Sequence, residues 1–171
     1  MPPCRFASAA PEEEYVYGAC APGWDQAAGT VDEWTAFMWD NGIERVCCLL
    51  SDRQLEEFDD LLGAYEDSFG ADRVEHVPVP DHSLVPEETL SEEIVPFLGS
   101  AVGASERVVV HCKAGIGRTG LALAGWLVYA HDYVPVEAIT TVSNRHRSPD
   151  DAVRAGNATR KELIGLLHGV R

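Results

Sequence analysis

The fold of this chain is decided by one stretch, His111-Cys112-Lys113-Ala114-Gly115-Ile116-Gly117-Arg118-Thr119-Gly120. The apolar run that precedes it, residues 107–110, is typical of a short buried strand, and the run that follows, residues 121–129, is typical of a buried helix. A loop that opens a helix exposes free backbone N–H groups and the positive end of the helix dipole, and both favour an anion. The stretch therefore predicts an anion-binding loop between a strand and a helix.

The residue types in this loop suit a nucleophilic cysteine that faces a tetrahedral oxyanion. The thiolate is the reactive form of cysteine, and a helix N-terminus and a guanidinium both stabilise it, so we expect Cys112 to be the nucleophile. Gly115 and Gly117 allow successive N–H groups to point inward. Arg118 offers a planar fork that matches two phosphate oxygens, and Thr119 can donate a hydroxyl hydrogen bond to the sulfur.

Working outward from the loop, strands and helices alternate along the chain. Strands are predicted at 15–20, 44–50, 73–78 and 107–111, and helices at 31–39, 52–69, 87–101, 121–129, 136–145 and 151–167. This alternation predicts a single α/β domain with a central, mainly parallel sheet of about four to five strands and helices on both faces. Residues 15–20 are expected at the edge of the sheet, residues 1–13 as a flexible acidic lead-in and residues 14–171 as the domain. Ligands bind at the carboxyl ends of the strands in such sheets, where the loop lies.

Two other phosphate-binding motifs compete for the same residues. Residues 115–120 also read G-x-G-x-x-G, but a dinucleotide site needs a second strand after the helix that ends in an acidic residue. The chain instead gives another helix after Tyr129, opened by Pro135. A Walker A loop is excluded because no Gly-Lys-Ser/Thr ends the motif.

The motif His-Cys-x5-Arg-Thr resembles the signature of the cysteine-dependent protein tyrosine phosphatase superfamily, and HCKAGIGRTG is most similar to the dual-specificity and Cdc14-like branch. The resemblance in the order of elements covers roughly residues 40–147. It implies a phosphocysteine intermediate on Cys112 and makes His111 a brace for the loop. It also implies a phosphate-binding loop composed of Lys113, Ala114, Gly115, Ile116, Gly117 and Arg118. Residues 111–120 are called the signature loop below.

The resemblance also implies a general acid on a loop about thirty residues before the nucleophile. Asp81 lies 112 − 81 = 31 residues before Cys112, in the segment Val79-Pro80-Asp81-His82-Ser83, which is called the acid loop below. The structural alternative is an Asp that only organises a turn after proline. We expect Asp81 to be the general acid and His82 to be a turn residue.

The roles of three further residues stay open. Residues 144–149 resemble the Arg-rich turn of small dual-specificity enzymes, which place a water-orienting Gln about ten residues further on; this chain offers the shorter Asn157. Arg147 either anchors a second anion or, as we expect, pairs with a surface carboxylate. Lys113 either adds charge to the pocket or points to solvent.

The acidic composition of the chain limits the kinds of partner that it can bind. The net charge is −15, with 28 acidic and 13 basic residues, which disfavours nucleic acid and anionic membranes. Such an acidic, lysine-poor composition suggests a halophilic source, with an acidic protein of a GC-rich mesophile as the alternative. The five cysteines show no metal-ligand spacing, so no metal and no cofactor are expected. The longest apolar stretch, residues 121–130, is half as long as a membrane-spanning helix, so we expect no membrane partner. We expect a cytoplasmic protein, and we favour a monomer.

The sequence therefore predicts a metal-independent phosphomonoesterase, a protein-tyrosine or dual-specificity phosphatase that acts on phosphoproteins or phosphopeptides. One alternative keeps the chemistry and changes the substrate to a phosphoinositide or another small polyanion. The other is a phospho-binding module that has lost activity.

Overall fold

A computed structural model describes residues 2–170 and contains one five-stranded sheet. Its strands are β1 (Ala7–Ser8), β2 (Val16–Ala19), β3 (Ile43–Cys48), β4 (Val74–His76) and β5 (Arg107–His111). The order across the sheet is β1-β2-β5-β3-β4; β1 runs antiparallel to β2, and the other pairings are parallel. The predicted mainly parallel α/β sheet is confirmed, and the strand that leads into the signature loop lies at its centre.

Helices cover both faces of the sheet. They are α1 (Val31–Asp40), α2 (Asp52–Leu55), α3 (Leu61–Phe69), α4 (Glu87–Thr89), α5 (Val95–Gly103), α6 (Gly117–His131), α7 (Pro135–Ser143), α8 (Asp151–Arg154) and α9 (Arg160–His168). Successive side chains of a strand point to opposite faces. Val108 and Val110 of β5 accordingly pack into the core beneath α5, α6, α7 and α9, and Val109 packs into the core beneath α1 and α3. Because β5 is buried on both faces, it reads as a continuous apolar run.

The predicted helix at 52–69 is divided into α2 and α3 at an acidic segment. The Asp60 side chain accepts a hydrogen bond from Gly63 N at 3.1 Å, which caps a new helix start. The prediction of one continuous helix was wrong because a capping carboxylate competes with helix continuation.

The predicted helix at 87–101 is helical throughout, from Glu87 to Gly103, with a π-helical turn at Leu90–Ile94 between α4 and α5; Pro96, which has no N–H to donate, lies in the first turn of α5. The predicted helix at 151–167 is interrupted. In 151–167, Gly156 has a φ of +80°, and Thr159 and Glu162 form a capping box that starts α9.

The N-terminal segment also differs from its prediction. Strand β2 is not at the edge, because β1 pairs with it on the outer side. Cys4, Ala9 and Ala10 are buried, so residues 2–13 pack onto the domain rather than forming a flexible lead-in; the lead-in prediction for Met1 lies outside the described residues. We propose that this segment is an integral part of the domain. None of the helices in residues 2–170 has the length and apolar character needed to cross a membrane.

Candidate active site

The signature loop lies at the carboxyl ends of the parallel strands, as predicted. It follows β5 directly, and α6 begins within it at Gly117. The ends of β3 and β4 lie beside it, since backbone carbonyls just beyond both strands contact Arg118. The loop is therefore held between three neighbouring strands and the start of a helix.

Cys112 lies at the floor of the loop, with only 2 % of its surface exposed. Thr119, in the first turn of α6, is fully buried, and its hydroxyl donates to the Cys112 sulfur at 3.1 Å. A hydrogen bond to sulfur stabilises the thiolate form. The structure thus brings together the predicted nucleophile and the predicted hydroxyl donor.

The backbone of the signature loop is oriented by donors that bind its carbonyl groups. Four carbonyls are held in this way: Cys112 O by His111 Nδ1, Lys113 O by Ala21 N, Gly115 O by Arg147, and Ile116 O by Ser148 N. In a trans peptide the N–H points opposite to the C=O. The N–H groups of residues 113, 114, 116 and 117 are therefore directed away from those donors, which is the arrangement of an anion-binding concavity.

Gly115 is required by this path of the chain. Its φ is +76°, and a Cβ at this position would lie 2.6 Å from the carbonyl oxygen of Ala19. Lys113, Ala114, Ile116 and Gly117 are half-buried and form the rim of the loop. The loop can therefore approach β2 closely while keeping one side accessible.

Arg118 is fixed by acceptors before any ligand arrives. Its side chain is 2 % exposed. One terminal nitrogen, Nη1, donates to Val79 O at 2.9 Å and to Gln54 Oε1 at 2.8 Å, and Nε is buried with no hydrogen-bond partner among the described residues. The guanidinium is thus held at the carboxyl ends of the strands with donor capacity left for an anion.

His111 braces the loop from below as a neutral imidazole. It is fully buried, and burial, opposed by the hydrogen bond to the Cys112 carbonyl, lowers its pKa to about 4. Nδ1 lies 2.9 Å from Cys112 O, an atom that can only accept, so Nδ1 carries the proton. Nε2 then accepts from the buried hydroxyl of Tyr65 at 2.9 Å.

The acid loop reaches the site from the end of β4. The Asp81 side chain is 46 % exposed, and its Oδ1 lies 3.3 Å from Arg118 Nη2. The same oxygen accepts from His82 N at 3.0 Å. The predicted acid and the predicted phosphate-binding arginine are therefore adjacent.

Two polar contacts tie the acid loop to the segment after α7. His82 Nδ1 lies 2.9 Å from Asp151 Oδ2, and Asn157 Nδ2 donates to His82 O at 2.8 Å. The hydrogen bond to Asp151, together with the charges of Asp81 and Asp151, raises the pKa of His82. Asp151 in turn lies against the signature loop, since a Cβ on Gly117 would be 2.7 Å from its Cβ. Asn157 thus contacts the backbone of the acid loop.

Lys113 does not point freely to solvent. Its ammonium pairs with Glu57, in the acidic segment between α2 and α3. That segment borders an open cleft of about 460 Å³, whose acidic lining residues are Asp32, Glu57, Asp59 and Asp60. The side of the site next to Lys113 is therefore negatively charged.

Several contacting residues were missed in the sequence. Tyr65, which contacts His111, belongs to no sequence motif, and neither do Gln54 and Asp151. Arg147 was expected to pair with a surface carboxylate, but it is 4 % exposed and bonds to backbone carbonyls. These contacts come from distant parts of the chain, so the only local signal was the Arg-rich turn itself. Within residues 2–170, no group of three or more His, Cys, Asp or Glu residues is arranged to hold a metal ion.

Comparison with known proteins agrees with this geometry. Residues 18–132, about two thirds of the chain, match the family described as "Polymorphic toxin system, DSP-PTPase phosphatase". The chain belongs to this family. Its members are protein phosphatases of the dual-specificity type.

Curated relatives match shorter parts of the chain. Mouse dual specificity protein phosphatase 2 is 32% identical over 69 residues, 40% of this chain and 22% of that protein. The tyrosine-protein phosphatase CDC14 of Candida albicans is 37% identical over 51 residues, 28% of this chain and 9% of that protein. The chain thus spans less than a quarter of the length of these curated relatives. The crystal structure of Tk-PTP in the active form has a TM-score of 0.71 at 23% identity, covering 99% of this chain and 97% of that one, which shows the shared fold.

Proposed function

We propose that this dual-specificity-type phosphatase hydrolyses phosphate monoesters on proteins through a phosphocysteine intermediate, without a metal ion. Cys112 is the nucleophile, Arg118 and the N–H groups of residues 113–118 bind the phosphate oxygens, and Asp81 is the general acid and base. The main support for the proposal is the hydrogen bond from Thr119 to the Cys112 sulfur at the floor of the signature loop. The carbonyl groups of this loop bind donors elsewhere, which leaves its N–H groups directed toward an anion. This arrangement presents a sulfur nucleophile beneath an oxyanion site.

The first half-reaction transfers the phosphoryl group to sulfur. The Cys112 thiolate attacks phosphorus, the bond from phosphorus to the ester oxygen breaks, and protonated Asp81 gives its proton to the leaving oxygen. Arg118 stabilises the charge on the equatorial oxygens, and in phosphoryl transfer such charge stabilisation supplies most of the catalytic effect. Nη2 of Arg118 can exchange its Asp81 contact for a phosphate oxygen when substrate binds.

The second half-reaction returns the enzyme to its starting state. The Asp81 carboxylate takes a proton from a water molecule, the water oxygen attacks phosphorus, and the sulfur–phosphorus bond breaks to release inorganic phosphate and the thiolate. Thr119 stabilises the departing sulfur through its hydroxyl hydrogen bond. The sequence left open whether Asn157 orients this water; its contact with the His82 carbonyl supports a role in holding the acid loop instead.

The charge around the site supports a substrate with a single phosphate. The lysine that could bind a second phosphate, Lys113, is paired with Glu57 beside an acidic cleft. A polyanionic inositol phosphate would meet like charge on that side, which costs binding energy. Phosphorylated tyrosine, serine or threonine side chains in proteins fit this environment better.

The mechanism is tested by aryl-phosphate hydrolysis in the presence of a chelator. Wild type should turn over, Cys112→Ser should be inactive, and acid-quenched wild type should carry phosphate on Cys112 by peptide mass spectrometry. Cys47→Ala, which removes a buried thiol in β3, is the matched control and should keep its activity. Full activity of Cys112→Ser, or loss of wild-type activity with chelator, contradicts the proposal.

The substrate class is tested with a panel at equal concentration. Phosphotyrosine, phosphoserine and phosphothreonine peptides should be hydrolysed with a higher kcat/KM than inositol phosphates or phosphoinositide vesicles. Glu57→Gln frees Lys113 and should narrow this difference. A preference of wild type for inositol phosphates would favour the small-polyanion alternative.

A further inference from the structure

The tip of the acid loop, residues 80–82, is exposed and lies between two buried residues, Val79 and Val85. Apolar packing therefore fixes the two ends of this stretch, and the position of the tip between them depends on polar contacts. One residue of the tip, His82, takes part in three hydrogen bonds, and the proposed reaction does not use it. Its φ is +58°, in the left-handed region that residues other than glycine seldom adopt.

The ring and the carbonyl group of His82 are both bound by residues from the segment after α7. Its Nδ1 lies 2.9 Å from Asp151 Oδ2, and its carbonyl oxygen accepts from Asn157 Nδ2 at 2.8 Å. A left-handed residue other than glycine persists only where surrounding contacts determine its conformation, and such residues cluster at functional sites. The two contacts therefore hold the tip of the acid loop in a conformation that it would not favour alone.

Asp151 is itself attached to the signature loop. Ser148 N donates to Ile116 O at 3.1 Å, and Asp151 N donates to Ser148 O at 3.0 Å. The side chain of Asp151 also packs closely there, since a Cβ on Gly117 would lie 2.7 Å from its Cβ. The contact between His82 and Asp151 therefore links the acid loop to the backbone that surrounds the phosphate site.

On its other side, His82 contacts the proposed acid. Its backbone N–H donates to Asp81 Oδ1 at 3.0 Å, and Arg118 Nη2 lies 3.3 Å from the same oxygen. An oxygen that faces two donors acts as an acceptor, so we expect the proton of neutral Asp81 on Oδ2. Oδ2 lies 3.8 Å from His82 Nε2, which is too far for a direct hydrogen bond, so its proton stays available for a leaving group.

We propose that His82 is a positioning residue for the general acid of the phosphatase reaction. Its contacts with Asp151 and Asn157 fix the tip of the acid loop. Its N–H group keeps Asp81 beside Arg118, with Oδ2 left to protonate the leaving oxygen. This inference rests on the proposed function, since it needs Asp81 as the acid. His82 supplies no proton itself, because Asp81 regains its own from water in the second half-reaction.

Three variants isolate the contact between His82 and Asp151. His82→Asn keeps an N–H donor near the position of Nδ1, and asparagine tolerates the left-handed backbone better than most residues. His82→Ala removes the donor, and Asp151→Ala removes the acceptor without changing His82. His168→Ala, at an exposed histidine at the end of α9, is the control and should keep its activity.

The variants are compared with aryl phosphates whose leaving groups range from good to poor. For each one, kcat and KM are measured, and urea unfolding reports stability. His82→Ala is also made in the Asp81→Asn background, where the proposed acid is already absent. A residue that only supports the fold would affect all substrates and both backgrounds alike.

For His82→Ala we expect kcat/KM with the poorest leaving group to fall by about fivefold to twentyfold, because a displaced acid protonates the leaving oxygen less efficiently. With the best leaving group, which needs little protonation, the change should stay below about twofold. Asp151→Ala should show the same dependence, and His82→Asn should stay within about twofold of wild type. In the Asp81→Asn background, His82→Ala should have no further effect, since no acid is left to position.

The positioning role is overturned if His82→Ala is unchanged, if its loss is equal for all leaving groups, or if it loses as much in the Asp81→Asn background as in wild type. A His82→Asn variant as slow as His82→Ala also overturns it. If His82→Ala does not fold, Asp151→Ala decides: a loss confined to poor leaving groups supports the proposal, and a uniform loss overturns it. Failure of the proposed function looks different, because Cys112→Ser would then be active or Asp81→Asn itself would show no dependence on the leaving group.

Discussion

The floor of the site and the acid loop are built in opposite ways. On the floor, Cys112 and Arg118 are 2 % and 3 % exposed, and buried side chains or backbone carbonyls fix their environment. On the acid loop, the side chains of Asp81 and His82 are 46 % and 59 % exposed. The loop is held by polar contacts to Arg118, Asp151 and Asn157.

This difference in exposure indicates which parts of the proposed reaction depend on packing. In the proposed mechanism, the oxyanion site should be ordered before the substrate arrives, because reorganisation during the reaction would reduce its benefit. The proposed acid, Asp81, releases and regains a proton in each cycle, and its exposure to water allows it to do so. We therefore expect changes on the floor to affect chemistry or stability strongly, and changes on the acid loop to affect selected steps.

The strongest test of the floor is Arg118→Lys. A lysine keeps the charge but cannot present a planar fork, so kcat/KM for an aryl phosphate should fall on the order of 10³-fold. Arg154→Lys, on an exposed arginine, is the control and should stay near wild type. A loss below tenfold would show that the buried geometry of Arg118 is not needed.

The acid loop is tested next by Asp81→Asn. The amide can still accept from His82 N, but it cannot supply a proton, so kcat should fall on the order of 10²-fold for substrates with poor leaving groups. The loss should shrink as the leaving group becomes more acidic, which is measured with a series of aryl phosphates. Asp67→Asn, on the exposed face of α3, serves as the control. An equal loss across the series would assign Asp81 a structural role instead.

The hydrogen bond between Tyr65 and His111, beneath the signature loop, is tested by Tyr65→Phe. Removal of the hydroxyl leaves the buried Nε2 of His111 without a donor, which should lower the free energy of unfolding by about 1–3 kcal/mol. Urea unfolding measures the change. Tyr129→Phe, at a tyrosine that is 53 % exposed, should stay within about 0.5 kcal/mol of wild type. Equal stability of the two variants would contradict the claim that the hydrogen bond between Tyr65 and His111 stabilises the protein.

The smallest expected effect is the pH dependence of the acid-loop contact. Because the pKa of His82 is raised by its Asp151 hydrogen bond and by Asp81 and Asp151, its stabilising contribution is complete below about pH 6.5 and is lost as pH rises through the raised value. The His82 side chain is exposed and that of Asp151 is half-buried, so solvent screens the contact and the change in Tm should be only about 1–3 °C.

This contact is measured by thermal unfolding at pH 5.5 and pH 8.5. His82→Gln and the double variant should lose the whole pH-dependent part, and Asp151→Asn should lose most of it because Asp81 still faces His82, so the single effects should not add. Additive effects would mean that the two side chains stabilise the fold independently.

Much of this protein was predictable where local rules dominate. Strand β5 and helix α6 were predicted because both are buried over most of their length. Their sequences are therefore continuous apolar runs, which can be identified without knowledge of the rest of the fold. Two predicted helices are each divided in the structure, because apolar spacing continues across the capping Asp60 and across Gly156. The edge position of β2 was wrong because Ala7–Ser8 is too short to give a periodic signal.

The sequence by itself determined the signature loop, its place between strand and helix, and the chemical groups that it carries, because these follow from neighbours along the chain. Only the tertiary structure decided what surrounds them: Tyr65 beneath His111, Asp151 beside His82, Glu57 on Lys113 and Arg147 behind Gly115. Each of these pairs joins residues that are 32 to 69 positions apart. Such contacts depend on how the helices and loops pack on the sheet, and a local sequence pattern does not predict that packing.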